Sequence, residues 1–195
     1  MGVEGFGEEA AAAVKKVRSI NVRLTDSVLR IVAFALTAAA AIVVGLDVQT
    51  TAVSVEIVPT LPPVNIPLTA RWQHLSASVY FVVVNAIACA YAVVSLVLTL
   101  GNRKKNNGAA ATSLMIIVLD VAMVALLFSS CGAAGAMGLM SYYGNAHVGW
   151  KKVCNVFGRF CIQAAAAFAI SLAASILFLF LVFFAALSLH KRVPR

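Results

Sequence analysis

Two ionisable side chains stand inside long apolar stretches of this chain. They are Arg30, in LRIVAFALTAAAAIVVGLDV, and Asp120, in SLMIIVLDVAMVALLF. A lone charge at the centre of a bilayer costs at least about 3 kcal/mol on insertion scales, so such groups usually face other protein and pair. Together they could form an ion pair that fixes which helices are neighbours. The competing chemistry is a polar path for a solute, with Asp120 and Asn85 (in YFVVVNAIACAY) lining it. Acid–base catalysis has less to stand on, because one buried carboxylate without a nearby base lacks its second partner.

The remaining reactive residues are sparse. Cys154 and Cys161 lie in or beside one loop, seven residues apart, and could close a small disulfide on an oxidising face; free, buried thiols are the alternative. Cys89 and Cys131 lie within apolar stretches and read as small apolar residues. His74, His147 and His190 are scattered, and no Cys/His grouping has zinc spacing. Phosphate-loop, dinucleotide, G-x-S-x-G and H-E-x-x-H patterns are all missing from the sequence. No catalytic set, cofactor or small-molecule substrate is therefore expected.

These residues are carried by four apolar blocks, at about residues 29–48, 75–100, 109–140 and 161–189. Each reaches the roughly 20 residues that a helix needs to cross hydrocarbon. The last two exceed that length and so should tilt or project. The chain has 195 residues, 62% of them hydrophobic and 11% charged. Soluble domains of that size cannot hide so much apolar surface. Strand-like alternation is missing, which leaves an all-α membrane protein, a four-transmembrane-helix bundle. Residues 1–28 read as a polar cytosolic segment and 190–195 as a cytosolic tail, with the first block acting as a retained signal-anchor.

Basic residues set the orientation. Lys15, Lys16, Arg18 and Arg23, then Arg103, Lys104 and Lys105, then Lys191, Arg192 and Arg195 would share one face; Arg71, Lys151, Lys152 and Arg159 would share the other. Ten against four puts both termini and the GNRKKNNG loop in the cytosol. The net charge of +8 thus reads as topology and contact with lipid headgroups rather than nucleic-acid binding. Of the two outward loops, the first holds Pro59, Pro62, Pro63 and Pro67, too many for one regular element. The second sets Trp150 beside Lys151 and Lys152, a pairing suited to headgroup level.

Depth along the blocks bears on the charged pair. Arg30 lies 18 residues below Val48, and Asp120 lies 16 below Ala136, which agree within about a turn. Both side chains lean toward their helix N-termini. The other reading has Arg30 snorkelling to the cytosolic surface while Asp120 is protonated or meets water. Asn85 reads foremost as hydrogen-bonding glue between helices. Tyr80 and Tyr91 read as packing or interfacial residues, and Asp47 as a carboxylate at the outer edge within reach of water. Runs of small residues (Ala38 to Ala41, Gly132 with Gly135, Ala164 to Ala167) would let helices approach closely.

Taken together, Arg30 in its block, YFVVVNAIACAY, Asp120 in VLDVAMVALLFSS and the stretch YYGNAHVGWKKVCNVFGRFC resemble the Casparian strip membrane domain protein family of plants. The resemblance is to its Casparian-strip-like branch and runs from about Leu24 to the end of the fourth block; the family is related in architecture to the four-helix MARVEL proteins. It matches Arg30 and Asp120 to the family's intramembrane charged positions, and adds Gly144, Asn145, Trp150, Cys154 and Cys161 in the second outer loop. What it implies is a multi-pass plasma-membrane scaffold forming homo- and hetero-oligomers with family members, the founders of which mark a membrane domain and recruit wall-modifying machinery. One departure is clear: the founders' E-x-L-P-F-F-T-Q-F-like stretch is replaced here by EIVPTLPPVNIPLTARWQHL. A small channel or transporter subunit is the alternative, although no span contains proline and no internal repeat is visible.

Overall fold

The computed structural model describes residues 3–55, 64–101 and 109–190. Its elements are α1 (Val3–Gly45), a hairpin of β1 (Val48–Val55) and β2 (Val64–Arg71), α2 (Ser76–Gly101), α3 (Ala109–Tyr143) and α4 (Gly158–His190). Among the described residues, four helices are long and apolar enough to cross a membrane, over Leu24–Gly45, Ser76–Gly101, Leu114–Tyr143 and Gly158–Leu187. The first such window starts five residues before the expected boundary, and its helix begins earlier still. The leader expected to be a polar segment is helical from Val3. Its run of alanines flanked by Glu and Lys has high helix propensity, which needs no membrane to act.

The helices close into a ring in which α1 packs against α2 and α4, and α3 packs against α2 and α4. The diagonal pairs, α1 with α3 and α2 with α4, make little backbone contact. Buried positions recur at alternating steps of three and four. On α1 they are Arg30, Ala33, Thr37, Ala40 and Val44; on α3, Asp120, Met123, Leu127 and Ser130, with Cys131 buried beside the last. That spacing is the seam of a left-handed bundle, with each helix presenting one narrow stripe inward. The stripe combines small and polar residues with a few large apolar ones (Phe81, Leu127, Phe178 and Leu181), whereas Ile31, Phe34, Val94, Val97, Leu114, Met115, Val118 and Phe183 face outward. A soluble bundle would keep such large apolar side chains off its surface. In lipid, large apolar side chains gain nothing by turning inward, so close packing and hydrogen bonds decide which face is buried.

The hairpin is an addition to the expected all-helical picture. Val48 pairs with Arg71 and the antiparallel register continues to Val55 and Val64. β1 (VQTTAVSV) is rich in β-branched residues, which favour a strand. Of the four prolines, Pro67 sits in β2 opposite Ala52, while Pro59, Pro62 and Pro63 lie outside the described residues. The hairpin and the α3–α4 loop stand at the same end of the bundle, where the Gln49 side-chain carbonyl accepts from the Phe160 backbone N–H at 2.8 Å.

Candidate functional site

Toward the other end, four helical positions converge on one guanidinium. α1 supplies Arg30 and, one turn earlier, Asp26; α2 runs back past it with Tyr91 and Ser95; α3 brings Asp120 across from the diagonal position. Arg30 donates from Nη2 to Asp120 Oδ2 at 2.9 Å and from Nη1 to Oδ1 at 3.2 Å. Nη1 also donates to Ser95 Oγ at 2.9 Å, and Nε to Asp26 Oδ2 at 3.2 Å. The Tyr91 hydroxyl donates to Asp120 Oδ1 at 2.7 Å. Arg30 is 2% exposed and Asp120 is 0% exposed, so the guanidinium turns into the bundle instead of snorkelling. A two-pronged, planar contact of this kind suits arginine and not lysine. Because α1 and α3 barely touch through their backbones, this contact spans the ring.

A second polar contact spans the other diagonal. Asn85 of α2 accepts at Oδ1 from the Ser171 hydroxyl of α4 at 2.9 Å and donates from Nδ2 to the Phe81 carbonyl at 2.9 Å. The Cys131 thiol of α3 stands 3.6 Å from the Ser171 oxygen. Thr37, Ser130 and Ser175 return their hydroxyls to carbonyls of their own helices. Among the described residues, no buried side-chain nitrogen or oxygen lacks a hydrogen-bond partner. Nor does any group of three or more His, Cys, Asp or Glu among them stand where it could hold a metal.

Ser95 and Asp26 carry no mark of their own in the sequence, and Tyr91, expected to pack or sit at the interface, also donates to Asp120. One signal was available: Tyr91 and Ser95 are four apart, on the same face of α2 as Ala88 and Ala92, so they fall on the small-residue stripe. Free cysteines are Cys89 and Cys131, as the apolar reading required.

At the hairpin end, the loop after α3 is a tight scaffold. Gly144, at φ 71°, ends the helix in the left-handed region, and a Cβ there would stand 2.8 Å from the Trp150 carbonyl oxygen. Asn145 and Trp150 exchange backbone hydrogen bonds, both 2.9 Å, and the Asn145 side chain accepts from the His147 N–H. The Cys154 and Cys161 sulfurs are 2.01 Å apart, a disulfide that ties this loop to the first turn of α4. Trp150 is 40% exposed. Asp47, expected at the edge and within reach of water, is instead 5% exposed. Burial pushes its carboxyl above the usual carboxylate range, and Arg159 nearby opposes that rise.

Comparison with known proteins covers the same ground. Residues 19–177 match the model of the Casparian strip membrane protein domain. The chain is similar to CASP-like protein 1E2 of Vitis vinifera, 54% identical over 96% of this chain and 95% of the relative. It is likewise similar to CASP-like protein 1E1 of Glycine max, 50% identical over 98% of each chain, and to CASP-like protein 1E1 of Arabidopsis thaliana, 50% identical over 83% of this chain and 84% of the relative. No solved structure matches. Matched nearly from end to end, the chain belongs to the Casparian strip membrane protein family, alongside its CASP-like members in plants.

Proposed function

We propose that this protein is a non-enzymatic tetraspan scaffold of the plasma membrane that self-associates, with itself and with family members, to organise a membrane domain. The observation that carries this reading is the fate of the intramembrane polar groups. Among the described residues, every buried side-chain nitrogen and oxygen is hydrogen-bonded within the bundle, and the outward surface is a broad apolar face for lipid and neighbouring helices. Orientation follows from the ten-to-four distribution of basic residues, with both termini in the cytosol and the hairpin outside. Recruitment of wall-modifying proteins on the outer side is in keeping with the family.

Single-molecule bleaching of the tagged protein in native membranes tests the reading. Multi-copy spots are expected, and monomers alone would overturn it. The channel or transporter alternative requires Asp120 and Asn85 to meet a solute. Both are fully buried, and each is held by hydrogen bonds to neighbouring residues. Solute flux in reconstituted liposomes that disappears in Asp120→Asn would revive it.

A further inference from the structure

We propose that the free edge of β1 is a self-association surface, pairing edge to edge with β1 of a second copy. This rests on the self-association reading above and names where it occurs. Pro67 has no N–H to give Ala52, so the Ala52/Pro67 pair is of the type whose backbone groups point away from each other. Thr50/Thr69, two residues along, is of the same type, and there the two hydroxyl oxygens stand 3.0 Å apart. At these positions the N–H and C=O point out of the hairpin.

The two edges therefore differ. β1 offers complete donor and acceptor pairs at Thr50 and Ala52, both exposed, and has no proline or charged residue between Val48 and Val55. On β2 the central outward position is Pro67, which has no donor, and Arg71 ends the strand. Proline and charge are the usual devices that blunt a sheet edge, and only β2 carries them. The described sheet has two strands, fewer than an independently stable sheet needs. Pairing of β1 with β1 makes four.

A second copy fits this edge better than an unrelated chain does. The base of the hairpin is fastened to the bundle through Gln49 and Phe160, so the edge is held at one height above the membrane. Another copy in the same bilayer presents an identical uncharged edge at the same height. A charged peptide would find no opposite charge along β1.

Strand spacing provides the test. In the paired sheet, β1 stands one spacing, about 5 Å, from its copy, and β2 stands three spacings, about 15 Å. Single cysteines at Val48, Thr50 or Ala52 should be joined in native membranes by a bismaleimide too short for the longer span, with the unmutated chain as background. Cysteines at Leu68 or Thr69 should not. Adding Ala52→Pro to Thr50→Cys should cut the dimer about thirtyfold, the effect of losing two net hydrogen bonds, one donor from each copy. Thr69→Pro, the same change on the other strand, should leave it intact and serves as the control for folding. Equal dimer from both strands, or none from β1 while bleaching still counts several copies, overturns the inference and leaves the scaffold reading standing. Monomers by bleaching overturn both.

Discussion

The two diagonals of the bundle are each bridged by side chains, one with charges and the other without. Arg30 and Asp120 join α1 to α3 through two hydrogen bonds, supported by Tyr91 and Ser95; Asn85 and Ser171 join α2 to α4 through one. Geometrically they do the same work, linking helices that the ring does not bring together. They differ in what is left when one partner goes. An orphaned guanidinium keeps its charge in a medium that cannot solvate it, whereas an orphaned amide or hydroxyl can turn to a carbonyl of its own helix.

The largest expected effect is therefore at the charged diagonal. Asp120→Ala should destabilise the bundle by about 3–5 kcal/mol, the cost of breaking a buried pair from one side. Unfolding followed in mixed micelles would measure it. Exchanging the two residues, Arg30→Asp with Asp120→Arg, should recover part of the loss; a double variant no more stable than Asp120→Ala would show that the pair does not act as a unit. Next comes Tyr91→Phe, which removes one charge-assisted hydrogen bond to Asp120 but leaves Arg30 in place. A loss of about 1.5 kcal/mol is expected, and combining it with Asp120→Ala should add little, because the two share that bond. On the neutral diagonal, Ser171→Ala should cost about 0.6 kcal/mol, the average for hydrogen bonds between membrane helices. If Ser171→Ala equalled Asp120→Ala, charge would not be what separates the diagonals.

The smallest effect lies outside the spans, at Asp47, and is read by pH. Its carboxyl is raised by burial against the opposing influence of Arg159, so the folded protein holds this proton more tightly than the unfolded chain does. Its contribution is greatest below the ordinary carboxylate pKa and is lost as pH rises through the folded value. Protection of the hairpin amides from hydrogen exchange should fall as pH rises through that window, after correction for the intrinsic rate. Asp47→Asn should flatten the dependence.

Much of this was legible without a fold. The four spans stood out because hydropathy is a sum over neighbours in sequence, and lipid thickness alone sets the length required. Arg30, Asp120 and Asn85 stood out because a polar atom in hydrocarbon is costly wherever its helix ends up. Cys154 and Cys161 were close enough in sequence for a disulfide to be considered. Gln49, by contrast, caps a backbone N–H 111 residues away, and nothing in its own neighbourhood marks it.

The sequence by itself determined that there would be four membrane helices and that a few polar side chains would have to be hidden among them, because both follow from the transfer cost of each residue into lipid. Only the tertiary structure decided who meets whom: that Tyr91 and Ser95 join Arg30 and Asp120, that Asn85 finds Ser171, and that the hairpin is seated on α4. Those pairings depend on how each helix is rotated about its axis and shifted along it. In a bilayer the apolar side chains are nearly indifferent to that choice, so the close fit of small residues and the few available hydrogen bonds settle it.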